Sequence, residues 1–224
     1  MPRTVTFDPF GVDIDLVIWD FDGTILDTEW PAYQSATREF ARYGREIDLT
    51  VWSQTLGSAG YELWWKRLQR DVGGFTETDE EFLARYREHK NELTDANDLL
   101  PGVREVMDAF GQRGVGAAVA SSSPRYWVDR HLPRLGLVER LPVVVTRDDV
   151  GADRTKPHPD LFVLAAQRSD VEPERCLVIE DTNHGVVAAK AAGMYAIAVP
   201  HQLTKLHDFS SANRVVASLK DLLP

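Results

Sequence analysis

The 224-residue chain has one cysteine, Cys176, so no internal disulfide can form. That residue lies inside the apolar run "RCLVIED", where a core thiol is expected. Basic residues are also in short supply. Twenty-five lysines and arginines face 35 aspartates and glutamates, for a formal charge of −10. This leaves no electrostatic footprint for a phosphate backbone or an anionic membrane. No apolar run reaches the length of a membrane span, and no basic segment leads into an apolar signal region. A cytoplasmic protein is the expectation. Internal repeats, low-complexity tracts and a His/Cys set with zinc-ligand spacing are absent as well.

What is present is alternation. Short apolar runs recur at "DLVIWD", "GVGAAVAS", "LPVVVT", "RCLVIED", "MYAIAVP" and "NRVVAS", and segments of helical spacing lie between most of them. This βαβ pattern predicts an α/β fold: a Rossmann-like core with a mostly parallel sheet flanked by helices. Val103, Val106, Met107 and Phe110 make one helix face packed on that sheet. Ser123 followed by Pro124 reads as an N-cap with proline at the first helical position.

The interval from 30 to 98 breaks the alternation, showing helical patterns and no strand. Tyr61, Trp64, Trp65 and Leu68 form one face. Phe82, Leu83, Tyr86 and Leu93 form another, opened by Thr78 and Glu81 at capping-box spacing. Gly73-Gly74 separates the two. Trp30, Trp52, Trp64 and Trp65 belong to this interval, which predicts a small all-helical domain inserted after the first strand, with residues 1–29 and 99–224 forming the core domain.

Chemistry concentrates at strand ends. Asp20 and Asp22 close the first long run, Ser121 the second, and Glu180 and Asp181 the fourth, and parallel strands bring all of them to one edge of the sheet. Lys156, in the proline-stiffened "TKPHPD", can reach the same edge. Clustered carboxylates repel and raise one another's pKa, so the set calls for a divalent cation, and hard oxygen donors favour Mg2+. A cation, a lysine and a hydroxyl around a nucleophilic carboxylate suit phosphoryl transfer. One aspartate attacks phosphorus and the other serves as acid and base. Gly23 allows the turn after the pair, and Thr24 holds it.

The motifs "DFDGT", "SSS", "KPHPD" and "EDTNHG", in that order, resemble the haloacid dehalogenase-like hydrolases. A helical insertion directly after the first motif is similar to the subfamily of β-phosphoglucomutase, phosphoglycolate phosphatase and the sugar-phosphate phosphatases. The resemblance implies that Asp20 is nucleophile and Mg2+ ligand, and that Asp22 is general acid and base and lends the metal its backbone carbonyl. It implies phosphoryl contacts from Ser121 and Lys156, and metal contacts from Asp181 and Glu180. Thr182, Asn183 and Gly185 match the turn after that pair. Gly23, Thr24, Thr28, Ser58 and Ser122 are the candidate substrate-binding residues. The helical segment would be a mobile cap hinged near Asp27-Thr28 and Leu99-Leu100-Pro101.

The expected function is a Mg2+-dependent phosphatase acting on a small phosphorylated metabolite, of sugar phosphate or phosphoglycolate type, as a monomer or homodimer without nucleic-acid or membrane partners. A phosphomutase is the alternative. Ala32, Leu56 and Gly60 stand where β-phosphoglucomutase carries a histidine, a lysine and an arginine, which weighs against it. Asp22 argues against dehalogenation. Lys66 and Lys90 read as solvated lysines, not imine-forming ones. A non-catalytic phospholigand-binding protein would have lost a motif carboxylate, and none is missing. Asp27 and Thr28 also read as a helix cap, Arg125 at a helix start reads either as a substrate-phosphate contact or as a surface residue, and neither His158 nor His184 is assigned as a base.

Overall fold

The computed structural model describes residues 6–7, 12–53, 56 and 64–223. Two short strands, β1 (Thr6–Phe7) and β2 (Val12–Asp13), pair antiparallel ahead of the main sheet. That sheet contains β3 (Leu16–Trp19), β4 (Gly116–Ala120), β5 (Val143–Val145), β6 (Cys176–Glu180), β7 (Tyr195–Ala198) and β8 (Arg214–Val215) in the order β5-β4-β3-β6-β7-β8. Every pair in it is parallel, so each apolar run of the sequence becomes a strand of one sheet.

Side chains alternate along the buried strands with period two. Val17, Trp19, Leu177 and Ile179 face one layer, and Leu16, Ile18, Cys176 and Val178 the other. The first layer is covered by α5 (Val103–Gly111), through Val103, Val106, Met107 and Phe110, and by α6 (Arg125–His131), through Trp127 and Val128. The second is covered by α8 (Asp160–Arg168) and α9 (Asn183–Ala191), while the short α7 (Arg147–Val150) follows β5. Burial pushes the Cys176 thiol up to about 12, as suits a core residue. Among the described residues, no helix is long and apolar enough to cross a membrane.

Between β3 and α5 lie α1 (Glu29–Arg42), α2 (Leu49–Ser53), α3 (Trp64–Asp71) and α4 (Asp79–Asp95). Ala36, Phe40, Trp52, Leu56, Trp64, Leu68, Phe82 and Tyr86 build a hydrophobic cluster there, joined by Leu203 from the connection after β7. The Thr78/Glu81 capping box opens α4. The two connectors to the sheet meet at a bridge between Leu26 and Leu99, and Asn97 Nδ2 donates to the Asp27 carbonyl at 2.8 Å. Asp27 does cap α1, its Oδ1 accepting from the Trp30 amide at 3.0 Å, whereas the buried Thr28 side chain makes no cap bond.

The start of α6 differs from expectation by one residue. Pro124 itself is the N-cap, extended and outside the helix. Asp148 Oδ2 accepts from the Arg125 amide at 2.9 Å, which frees the Ser123 hydroxyl for Asp22.

Two positions carry predictions. His131 is fully buried, and its Nδ1 accepts from Arg134 Nε at 2.9 Å. Burial, then the Arg134 charge, lowers its pKa to about 4. An unfolded histidine takes its proton near pH 6.5, so the unfolded chain binds more protons between those values and stability falls as pH drops through the window. Urea unfolding of the native protein should lose about 2 kcal/mol more than His131→Asn on going from pH 7.5 to pH 5. At the start of α9, a Cβ on Gly185 would stand 1.8 Å from Glu180 Oε1. Gly185→Ala should lower the urea midpoint, with an overpacking cost of about 2 kcal/mol.

Candidate active site

The chain runs from β3 through β4 to β5 on one side, then crosses to β6 on the other side of β3. The carboxyl end of β3 is therefore the switch point of the sheet, where open α/β sheets leave a crevice. Asp20 sits there, 5% exposed, with its amide still paired to the Ile179 carbonyl at 3.0 Å. Lys156, held by the loop before α8, bonds through Nζ to Asp20 Oδ1 and lies 2.6 Å from Glu180 Oε1. The Lys156–Pro157 peptide is cis.

Glu180 Oε2 accepts from the amides of Asp181 (3.0 Å) and Thr182 (2.9 Å) and from the Thr182 hydroxyl (3.0 Å). Thr182 Oγ1 in turn accepts from the Gly185 amide at 3.2 Å and caps α9. The "EDTNHG" motif is thus a strand end folded onto a helix start, and its glycine makes room for the carboxylate. Asp181 is fully buried, with Oδ1 accepting from Thr24 Oγ1 at 3.3 Å and Oδ2 lying 2.9 Å from His201 Nε2. Gly23, at φ +84°, keeps this contact open, since a Cβ there would fall 2.5 Å from Asp181 Oδ2.

The Asp22 carboxylate has three donors. Trp127 Nε1 reaches Oδ1 at 2.8 Å, while Ser123 Oγ at 2.7 Å and Ser121 Oγ at 3.2 Å share Oδ2. The buried Ser122 hydroxyl has no hydrogen-bond partner among the described residues.

Charge is unbalanced here. Burial pushes Lys156 toward neutrality, but Asp20 and Glu180 outweigh it and hold the ammonium charged, above its ordinary range. Asp20 is driven well above the carboxylate range, first by burial and then by Glu180, Asp181 and Asp22, against Lys156. Asp20, Glu180 and Asp181 each offer an oxygen within 4.8 Å of the others, and Asp20 Oδ2 is buried with no hydrogen-bond partner among the described residues. A hard-oxygen set with excess negative charge and an orphaned carboxylate oxygen fits a divalent cation such as Mg2+.

Other candidates fall elsewhere. Ser58 and Gly60 lie outside the described residues. Ala32 and Leu56 are buried in the helical cluster. Arg125 pairs with Asp149 and the Val144 carbonyl, and Lys66 with Asp79. His158 is exposed, and His184 Nδ1 lies 3.2 Å from the Leu56 carbonyl. Three residues beside the site were not singled out by the sequence. Trp127 gives no sign there of its indole direction. His201 follows the end of β7, where the strand-end logic that found Asp20 applies equally. Glu29 is pushed up to about 8 by burial, then by Asp22 and Asp181.

A model of the haloacid dehalogenase-like hydrolases matches residues 14–193. Fructose-1-phosphate phosphatase YqaB of Escherichia coli (strain K12) is 36% identical over 186 residues, 82% of this chain and 95% of that protein. Phosphorylated carbohydrates phosphatase of Thermotoga maritima is 33% identical, over 85% of this chain and 87% of that one. The crystal structure of CbbY from Rhodobacter sphaeroides in complex with phosphate superposes with a TM-score of 0.74 at 26% identity, covering 93% of this chain and 96% of that one. The chain therefore belongs to the haloacid dehalogenase-like hydrolases, in the subfamily of β-phosphoglucomutase, phosphoglycolate phosphatase and the sugar-phosphate phosphatases, and is an enzyme of the class that hydrolyses phosphoric monoesters.

Proposed function

We propose that this enzyme is a Mg2+-dependent phosphatase acting on a small phosphomonoester, of sugar phosphate or phosphoglycolate type, through an aspartyl-phosphate. The observation that carries this reading is Asp20: one oxygen is fixed by Lys156 and the other is buried without a partner among the described residues. Such an oxygen is costly to leave unpaired, and it suits attack on an electrophile or binding of a cation.

Asp20 attacks phosphorus, and the ester oxygen leaves with a proton from Asp22. Water then attacks the acyl phosphate as Asp22 takes its proton back, and phosphate departs. The Lys156 ammonium and Ser121 hydroxyl meet the phosphoryl oxygens. Asp20, Asp181, Glu180 and the Asp22 carbonyl are the residues that would hold Mg2+, which supplies charge neutralisation at the transferring group. Gly23, Thr24, Thr28, Ser58 and Ser122 are assigned to the substrate side. Residues 30–98 act as a cap over the 1–29 and 99–224 core and exclude water from the first step. The enzyme works in the cytoplasm as a monomer or homodimer.

Two facts favour a phosphatase over a phosphomutase. The relatives named above act, by their names, on fructose 1-phosphate and phosphorylated carbohydrates. In this chain Ala32 and Leu56 are buried apolar residues, 3% and 1% exposed, so neither can reprotonate or clamp a sugar bisphosphate.

Phosphate release should be measured across sugar phosphates, phosphoglycolate, glycerol phosphate and nucleotides. The expected result is turnover with Mg2+, none with excess EDTA, and a loss of more than about a thousandfold for Asp20→Asn. Mutual conversion of sugar phosphates far faster than hydrolysis would overturn the reading in favour of a mutase.

A further inference from the structure

Trp127 is one residue of α6, buried to 5% exposure, and its indole N–H is spent on Asp22 Oδ1 at 2.8 Å. Its ring does a second thing. Lys90, on α4 of the helical insertion, places Nζ 3.9 Å from the ring centroid, well inside cation–π range. His131 meets the same ring edge-on with centroids 4.4 Å apart. One side chain of the core thus touches the insertion with its face and the Asp22 carboxylate with its edge.

Ser123 completes the arrangement. Its hydroxyl donates to Asp22 Oδ2 at 2.7 Å, and that same oxygen receives the Ser121 hydroxyl at 3.2 Å. Ser121 is the group assigned to the phosphoryl oxygens, so its hydroxyl must leave Asp22 when an ester binds. Trp127 and Ser123 then remain as donors to the carboxylate and fix its rotamer. Both also line a cavity of about 330 Å³ shared with Tyr86 and Lys90 of α4. Asp22 is not among the described residues lining that cavity, but both of its remaining donors are, so its carboxylate is joined through them to the cavity wall.

Resting on the phosphatase reading above, we propose that Trp127 is a positioning residue for the general acid. With Ser123 it aims Asp22 at the leaving-group oxygen, and its contact with Lys90 ties that aim to the seating of the helical insertion on the core. The chemistry it serves is proton donation to a poor leaving group. A step that expels an alkoxide needs that proton, and one that expels a nitrophenolate does not.

This difference supplies the test. Single-turnover release of the alcohol is measured for the best alkyl phosphate of the substrate panel and for 4-nitrophenyl phosphate, with Mg2+, in the native enzyme, Trp127→Phe, Ser123→Ala, Ser123→Thr and Lys90→Met. Trp127→Phe keeps a ring under Lys90 and removes the N–H. The expected result is a loss of at least about tenfold on the alkyl ester and less than about threefold on the nitrophenyl ester, with KM unchanged within about twofold. Ser123→Ala should show the same selective loss, Ser123→Thr should recover most of it by restoring the hydroxyl, and Lys90→Met should show a smaller loss of the same kind. Equal losses on both esters, or losses confined to KM, in a variant that keeps its native circular dichroism, would overturn the proposal. If Trp127→Phe does not fold, the Ser123 pair decides. A native enzyme that releases alcohol from neither ester would overturn the phosphatase reading itself, an outcome separate from any contrast among the variants.

Discussion

A single ammonium buried between two carboxylates organises this molecule's active edge. Lys156 is 3% exposed and makes its ion pairs with Asp20 and Glu180, which come from the ends of adjacent strands β3 and β6. At an effective dielectric of about 20, a unit pair at 4 Å is worth about 4 kcal/mol, comparable to what burying each charge costs. The pairing therefore holds only while the register of β3 with β6 keeps both acids within reach of the lysine. Glu180 is fixed further by three donors at the start of α9, so strand register, helix cap and lysine loop settle one another. Two acids share one ammonium here and Asp181 adds a third, an excess of acid that fits a divalent cation.

The helical insertion meets this edge through contacts of a different kind. Its own interior is aromatic and includes a buried acid, Glu39, bonded to Arg85 Nη2 at 2.6 Å and Arg42 Nη1 at 2.9 Å. Across to the core, polar contacts prevail. Arg134 donates to the Thr94 and Asn97 carbonyls, His207 Nε2 lies 2.8 Å from the Ser53 carbonyl, and Arg130 pairs with Asp95. Among the described residues, Leu203 is the core residue that enters the insertion's hydrophobic cluster. Interfaces of this composition exchange protein and water partners at little net cost, because each polar group can be solvated when the surfaces part. The two connectors, by contrast, are tied backbone to backbone at Leu26–Leu99 and by Leu100 N to the Ile25 carbonyl at 2.9 Å. The insertion is thus joined to the core by a backbone-paired double connector beneath a polar interface.

Most of the sheet and the acidic part of the site were legible in the sequence, for one physical reason. A parallel strand buried on both faces must be apolar along its length, so a polar residue at its end stands out, and parallel direction sends every such end to one edge. Asp20, Ser121, Glu180 and Asp181 follow from that alone. His201 obeys the same rule but sits three residues past β7, where a loop must first turn back, and this hid it. Ser123 read as a helix cap because its identity and the following proline fit that role. Asp148, from another segment, takes the cap instead, a choice that no local pattern records. Trp127 was illegible in a stricter sense. Its position on α6 gives a buried face, but which way an indole N–H points within that face depends on what the neighbouring loop offers.

The same division explains why chemistry was easier to read than substrate. Groups that act on the phosphoryl moiety are charged or hydroxylic and are placed by the backbone of the sheet, so type and position suffice to find them. The walls of the adjoining cavity come from helix faces. Among the described residues lining it are Arg87, Lys90 and Arg147, with Trp64, Trp65 and Tyr126, and none of the described lining residues is a carboxylate. In a chain of net charge −10, such a lining is locally rich in basic residues, of which Arg147 also lies 3.8 Å from Asp148. A cleft of one sign within a surface of the other focuses the field and raises the local concentration of counter-charged ligands. Such a wall favours an anionic ligand, and no strand-end pattern in the sequence records it, because its residues come from α3, α4, α6 and α7.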